Sequence, residues 1–238
     1  MVFDPTFTAI RFGTGRHPSR PEAADLDAFL APLSGPDVMA ARYPMPGFDA
    51  VLKWAYDYRQ VRKDSDMVTI EDVKQARAGI YDQVRLHNRD NLAKSVARYI
   101  ETQDPFRERL SRFWADHFTV IARKFVFRPG VSFYVNEAIR PNMTGTFGEL
   151  LRAAVLHPMM LFYLDQSSSI GPNSRLGKRK KNRGLNENLA REVLELHTLG
   201  VSGGYTQADV RQLAEAFTGL TLNFKKGFVF DQRRVEPG

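Results

Sequence analysis

With 238 residues, of which 43% are hydrophobic and 11% aromatic, the chain has apolar material for a substantial core, in one large domain or two closely joined halves. Its net charge of +7 at pH 7 permits an anionic partner. The absence of cysteine excludes disulfides, thiolate zinc sites, iron–sulfur clusters and a cysteine nucleophile. No secretory signal is evident at the start, and no apolar run approaches the ~18 residues of a membrane helix, so a cytoplasmic location is the default expectation.

Residues 1–22 read as an irregular lead-in, broken by Pro5, Gly13, Gly15, Pro18 and Pro21 and anchored by Phe7, Ile10 and Phe12. Arg11-Phe12-Gly13-Thr14-Gly15 is a poor phosphate loop, since no strand precedes it and no Gly-Lys-Ser/Thr follows. Short helices are expected over 23–30 and 36–42, then a longer one over 48–62, where Trp54, Tyr56 and Tyr58 read as packing residues. Thr69 and Asp72 form a capping-box start for a long helical region to residue 103. Its apolar stripe, Val73, Ile80 and Val84, loses phase near 87–90 and resumes with Leu92, Val96 and Tyr99, which predicts a kink or a break. Asp104 and Pro105 then make an N-cap and N1 pair for a helix to residue 121. On it Phe106, Leu110, Phe113, His117 and Ile121 share a face, with Trp114 beside them, so His117 is expected on the core side.

Helical segments follow at 132–139, 146–156 and 158–164, with His157-Pro158 as a helix entry. Between Gly171 and Gly184, Arg175, Lys178, Arg179, Lys180, Lys181 and Arg183 supply six positive charges without an acid or an aromatic. Such a run is either a solvated loop or a tether for an anionic partner, and the lack of stacking aromatics argues against nucleic acid. Asn186–Gly200 (NENLAREVLELHTLG) reads as one helix with Leu185, Leu189, Val193 and Leu196 as its buried stripe. Glu187, Arg191 and Glu195 line its outer side, Glu192 borders the core, and His197 borders the opposite edge. Glu192 and His197 lie about 140° apart around the axis, and neither Glu-x-x-His nor His-Glu-x-x-His occurs, so no metal or other cofactor is expected. Thr206 and Asp209 start a closing helix with Val210, Leu213, Ala214 and Phe217 on one face. Leu220–Phe224 and Gly227–Phe230 suggest a small hairpin, followed by a tail with no evident structure.

The expected fold is mainly α: a multi-helical single domain over 23–220 that includes the basic loop 171–184, with a small β-hairpin and tail over 221–238. The candidate site residues are His117, Asn188, Arg191, Glu192 and His197. A histidine on an aromatic face needs a hydrogen-bond partner if buried, because dry ring nitrogens cost about 1–3 kcal/mol, and Glu192 is the candidate acid. That pair is either a satisfied core histidine or an acid–base couple, with Asn188 or Arg191 orienting an anionic group. No Gly-x-Ser-x-Gly elbow supports a covalent route. His117 in its aromatic helix and His197 in Leu196-His-Thr-Leu-Gly200 are superficially similar to haem-ligating segments, but Phe113 stands where an arginine is wanted.

Gly184–Leu220 (GLNENLAREVLELHTLGVSGGYTQADVRQLAEAFTGL), Phe113–Phe118 (FWADHF) and Pro158–Asp165 (PMMLFYLD) together closely resemble a bacterial family catalogued as domain of unknown function 1800. The resemblance spans at least residues 105–224 and implies a mostly helical fold, without an established reaction, cofactor or catalytic residue. Members of that family often look exported and are often encoded beside a protein related to sulfatase-like enzymes, which makes such a neighbour a partner hypothesis. Export by the family's usual route therefore stays open. Relative to the family, the chain is expected to stop early, soon after the signature.

Overall fold

A computed structural model describes residues 2–63, 69–179 and 184–238. Among them are eleven α-helices and one two-stranded antiparallel sheet. The first surprise is at the start. Asp4 caps Phe7 N–H (2.9 Å) and Pro5 occupies the first turn of α1 (Pro5–Arg11), so the supposedly irregular lead-in opens with a helix. Phe7, Ile10 and Phe12 are exposed rather than anchoring.

Helices α2 (Leu26–Leu30) and α3 (Val38–Arg42) are single short turns, each started by an aspartate that accepts from a main-chain N–H, Asp25 and Asp37 respectively. Two long elements follow, α4 (Phe48–Lys63) and α5 (Ile70–Glu101), packed against each other. The capping box at Thr69 and Asp72 opens α5 as expected. The helix then runs unbroken through 87–90, where the sequence predicted an interruption. The apolar phase fails there because the buried positions of α5 are Val84, Asn91 and Arg98, seven residues apart, and two of the three are polar.

Helix α6 (Pro105–His117) shows the same inversion. Its buried face consists of Arg107, Glu108 and Ser111, whereas Phe113 is exposed, and Ile121 lies exposed beyond the helix end. The core lies instead among α4, α7 (Gly130–Tyr134), α8 (Phe147–Leu156) and α9 (Pro158–Tyr163), where Phe118, Phe127, Phe133, Tyr134, Ile139, Leu150 and Met159–Leu161 are fully enclosed or nearly so. Each such side chain contributes about 1.5–3 kcal/mol on leaving water. Phe127 and Phe162 stack with centroids 3.7 Å apart.

Two helical stretches widen into π geometry. After α7, Arg140 N–H bonds back five residues to Val135 O (2.9 Å). After α10 (Asn188–Glu192), Leu199 N–H does the same to Leu194 O (2.9 Å), so the helix expected over 186–200 is half α and half π. The closing helix α11 (Gln207–Ala216) starts on the predicted capping box at Thr206 and Asp209. The predicted hairpin forms from β1 (Leu220–Asn223) and β2 (Gly227–Phe230), in the register Leu220 opposite Phe230. Gly227 takes φ +72° at the end of its turn, where a side chain would be strained.

Candidate functional site

Helix α6 is fixed at its start by Asp104, which accepts from Arg107 N–H and pairs with the Arg107 guanidinium at 2.8 Å. That start sets the phase that brings His117, in the last turn, among Trp114, Phe118 and Phe147. The half-buried imidazole does find a partner. It is the main-chain oxygen of His197, 3.2 Å from Nε2, and no hydrogen bond or ion pair joins His117 to Glu192 among the described residues. The cause is the π segment Val193–Thr198. Its wider turn accommodates about one extra residue, which rotates Leu196 out to solvent and His197 into the core, and so presents the 197 carbonyl to α6.

His197 is 4% exposed, against Phe118 at 5.0 Å and 5.8 Å from the His117 ring. Its Nδ1 is buried without a partner among the described residues. Burial pushes the imidazole down to about 4, the nearby His117 ring adds to the shift, and only contact with the His117 main chain opposes it. A ring held neutral in this way is a poor proton carrier near pH 7.

The other three candidates, all on α10, make separate contacts. Arg191 reaches Gln207 Oε1 (2.7 Å) and Glu187 Oε2 (3.5 Å), and so ties α10 to α11 on the outside. Asn188 is exposed, with its N–H capped by Asn186 Oδ1. Glu192 is half-buried and its carboxyl is raised above the usual range by desolvation and by Glu195, without a cationic partner among the described residues. Among the described residues no three histidines or acids gather as a metal would require.

The structure assembles two polar groupings that the sequence did not suggest. Arg140, in the turn after the first π segment, meets Asp37 through Nε and Nη2 (both 2.8 Å) and Glu108 through Nη1 and Nη2 (2.7 and 2.8 Å). Close by, buried Arg98 donates to Asn136 Oδ1 and to the carbonyls of Ala40 and Tyr43. In the second grouping, His157 Nδ1 accepts from Met159 N–H (3.0 Å) at the start of α9. This leaves the proton on Nε2 for Glu137 Oε2 (3.1 Å), whose other oxygen accepts from Phe48 N–H (2.7 Å). His157 is therefore the helix-entry residue that its Pro158 neighbour predicts, and among the described residues the histidine–carboxylate pair is 157–137, serving two helix starts. Nothing in the local pattern of Glu137 marks it, because its partners are 20 and 89 residues away.

Of the six basic-loop cations, Lys180, Lys181 and Arg183 lie outside the described residues. Arg175, Lys178 and Arg179 are exposed and take part in no ion pair among the described residues. Their segment is a built turn rather than a free loop. Gly171 N–H and Leu176 N–H bond to Arg234 O (2.9 Å) and Arg233 O (2.8 Å), and Glu236 holds Asn173. Gly177 completes the turn, since a Cβ there would collide with the carbonyls of Gly171 and Pro172.

The family model described as "Protein of unknown function (DUF1800)" matches residues 11–238. The chain belongs to this family. No curated protein and no solved structure matches it significantly. In this DUF1800 chain the segments that carry the resemblance are neighbours in space. The hydrogen bond between His117 and the 197 carbonyl joins FWADHF to the signature, and within the signature Ala190 packs against Val210 and Ala214 across α10 and α11. No helix among the described residues is long and apolar enough to cross a membrane.

Proposed function

We propose that this chain is a helical interaction domain that engages an acidic protein surface through the basic segment 175–183, and that His117, His197 and the signature helix maintain the core rather than perform catalysis. One observation carries this reading: Arg175, Lys178 and Arg179 point to solvent, uncommitted to any acid among the described residues, from a turn anchored to the C-terminal stretch. Cations held on such a turn lose less freedom on binding than cations on a mobile loop, so more of their attraction appears as affinity. A sulfatase-related protein of the kind encoded beside members of this family is the partner to test first. The competing reading, a hydrolase built on His117 and Glu192, is less well supported, because the contact found at the His117 ring is to the His197 main-chain oxygen rather than to that carboxylate.

The test is surface plasmon resonance between the full chain and that neighbour protein at low and physiological salt. The triple substitution Arg175→Ala, Lys178→Ala, Arg179→Ala is the comparison. Binding should weaken with salt and fall about tenfold or more in the triple variant. Binding that is indifferent to both changes, or no binding at all, refutes the proposal.

A further inference from the structure

Helix α5 carries an apolar stripe, Leu92, Val96 and Ile100, spaced four residues apart and left exposed. These residues form one wall of a cleft of about 500 Å³, with Val131 and Val135 opposite. The floor is polar and buried. It contains Arg98, Glu108, Ser111 and Arg140, and exposed Arg112 sits at the rim, its guanidinium 4.8 Å over the Tyr99 ring.

The charges on that floor are unevenly committed. Both oxygens of Glu108 and both of Asp37 are taken by Arg140. Arg98, only 3% exposed, has neutral oxygens alone as acceptors, and its Nε–H has no acceptor among the described residues. Arg112 takes part in no ion pair among the described residues. Three arginines line the cleft against one lining acid, with Asp37 behind it, which leaves one positive charge over.

We propose that this cleft binds a carboxylate carried on an apolar chain, in chemical terms a medium-chain fatty acid, with its head toward Arg112 and Arg98 and its chain along Leu92, Val96 and Ile100. The volume lies within the roughly 300–1,000 Å³ of small-molecule sites, and an apolar lining with a few convergent donors is their usual composition. A neutral head group would forgo the charge-assisted part of the arginine contacts, and a cationic one would meet like charge. The site shares no residue with the basic segment 175–183, so it stands or falls independently of the docking role proposed above.

Isothermal titration calorimetry with decanoate below its micelle concentration tests this, with decanol and decyltrimethylammonium as controls. Saturable one-site binding of decanoate is expected, with decanol at least about tenfold weaker, the value of one charge-assisted contact, and no binding of the cation. Arg112→Ala, at an exposed rim position, should weaken decanoate about tenfold. Val96→Trp should fill the cleft and abolish binding while the circular dichroism and melting temperature stay near those of the parent. Absence of saturable binding, equal affinity for decanol and decanoate, or undiminished affinity in folded Val96→Trp would each overturn the assignment.

Discussion

Replacing Glu108 by Gln leaves the shape of the side chain but removes its charge from the most enclosed ion pair described in the molecule. The side chains of Arg140 and Glu108 are each 5% exposed and joined by contacts of 2.7 and 2.8 Å. Each such bond to a charged group is worth roughly 1.5–3 kcal/mol, and the amide oxygen can restore only one of them, in neutral form. With Arg140 left facing Asp37 alone, the cost should reach about 3 kcal/mol, the low end for breaking a buried pair. At a urea m-value near the top of the usual range, about 3 kcal/mol/M, the midpoint should fall by about 1 M. The control is Glu187→Gln, whose partner Arg191 lies 3.5 Å away in a pair 31% and 44% exposed. That substitution should cost no more than about 0.5 kcal/mol. Equilibrium unfolding followed by circular dichroism reads both variants on one scale, and equal midpoints would refute the claim that Arg140 depends on Glu108. Replacing Asp37, Glu108 and Arg140 together by apolar residues should recover much of the loss, because the desolvation cost disappears with the charges.

Burial opposes the ionised form of Asp37, but the Arg140 hydrogen bonds and charge, with the Ala40 N–H, hold its carboxyl below the usual range. The stability it contributes is therefore complete above the unfolded value of about 3.9 and is lost as pH falls through the lower folded value; Asp37→Asn should flatten that part of the acid unfolding curve. His197 is depressed to about 4 chiefly by burial, so between the unfolded value of about 6.5 and the folded one the unfolded chain binds the extra proton and stability declines as pH falls. A histidine NMR titration should show this ring neutral down to about pH 4, and a midpoint near 6.5 would contradict its placement. His157→Ala removes both the α9 cap and the Glu137 contact and should cost about 1–3 kcal/mol; in a double-mutant cycle with Glu137→Ala, a coupling below about 0.5 kcal/mol would deny that the two act together. Thr206→Ala breaks a reciprocal cap in which Thr206 Oγ1 accepts from Asp209 N–H and should lower stability by about 1 kcal/mol in thermal melts.

Local chemistry settled much of the architecture in advance. Capping boxes at Thr69 and Thr206, the Asp104-Pro105 pair, the His157-Pro158 entry and the alternation around Lys225–Gly227 each act within a few residues, and each marks an element that forms there. The motifs at 113–118 and 184–220 likewise pointed to the family that the model match establishes. What lay beyond sequence was which face of each helix is inside. Periodicity assumes that apolar residues turn inward, but on α5 and α6 the buried positions include Asn91, Arg98, Arg107 and Glu108; oxygens from distant segments accept from Arg98 and Arg107, and Arg140 donates to Glu108. Only the folded chain brings Asp37, Glu108 and Arg140 together across separations of 32 and 103 residues. The π turn that directs the His197 carbonyl at His117 likewise depends on packing, because a helix's choice between i−4 and i−5 bonding is not written in its own apolar pattern.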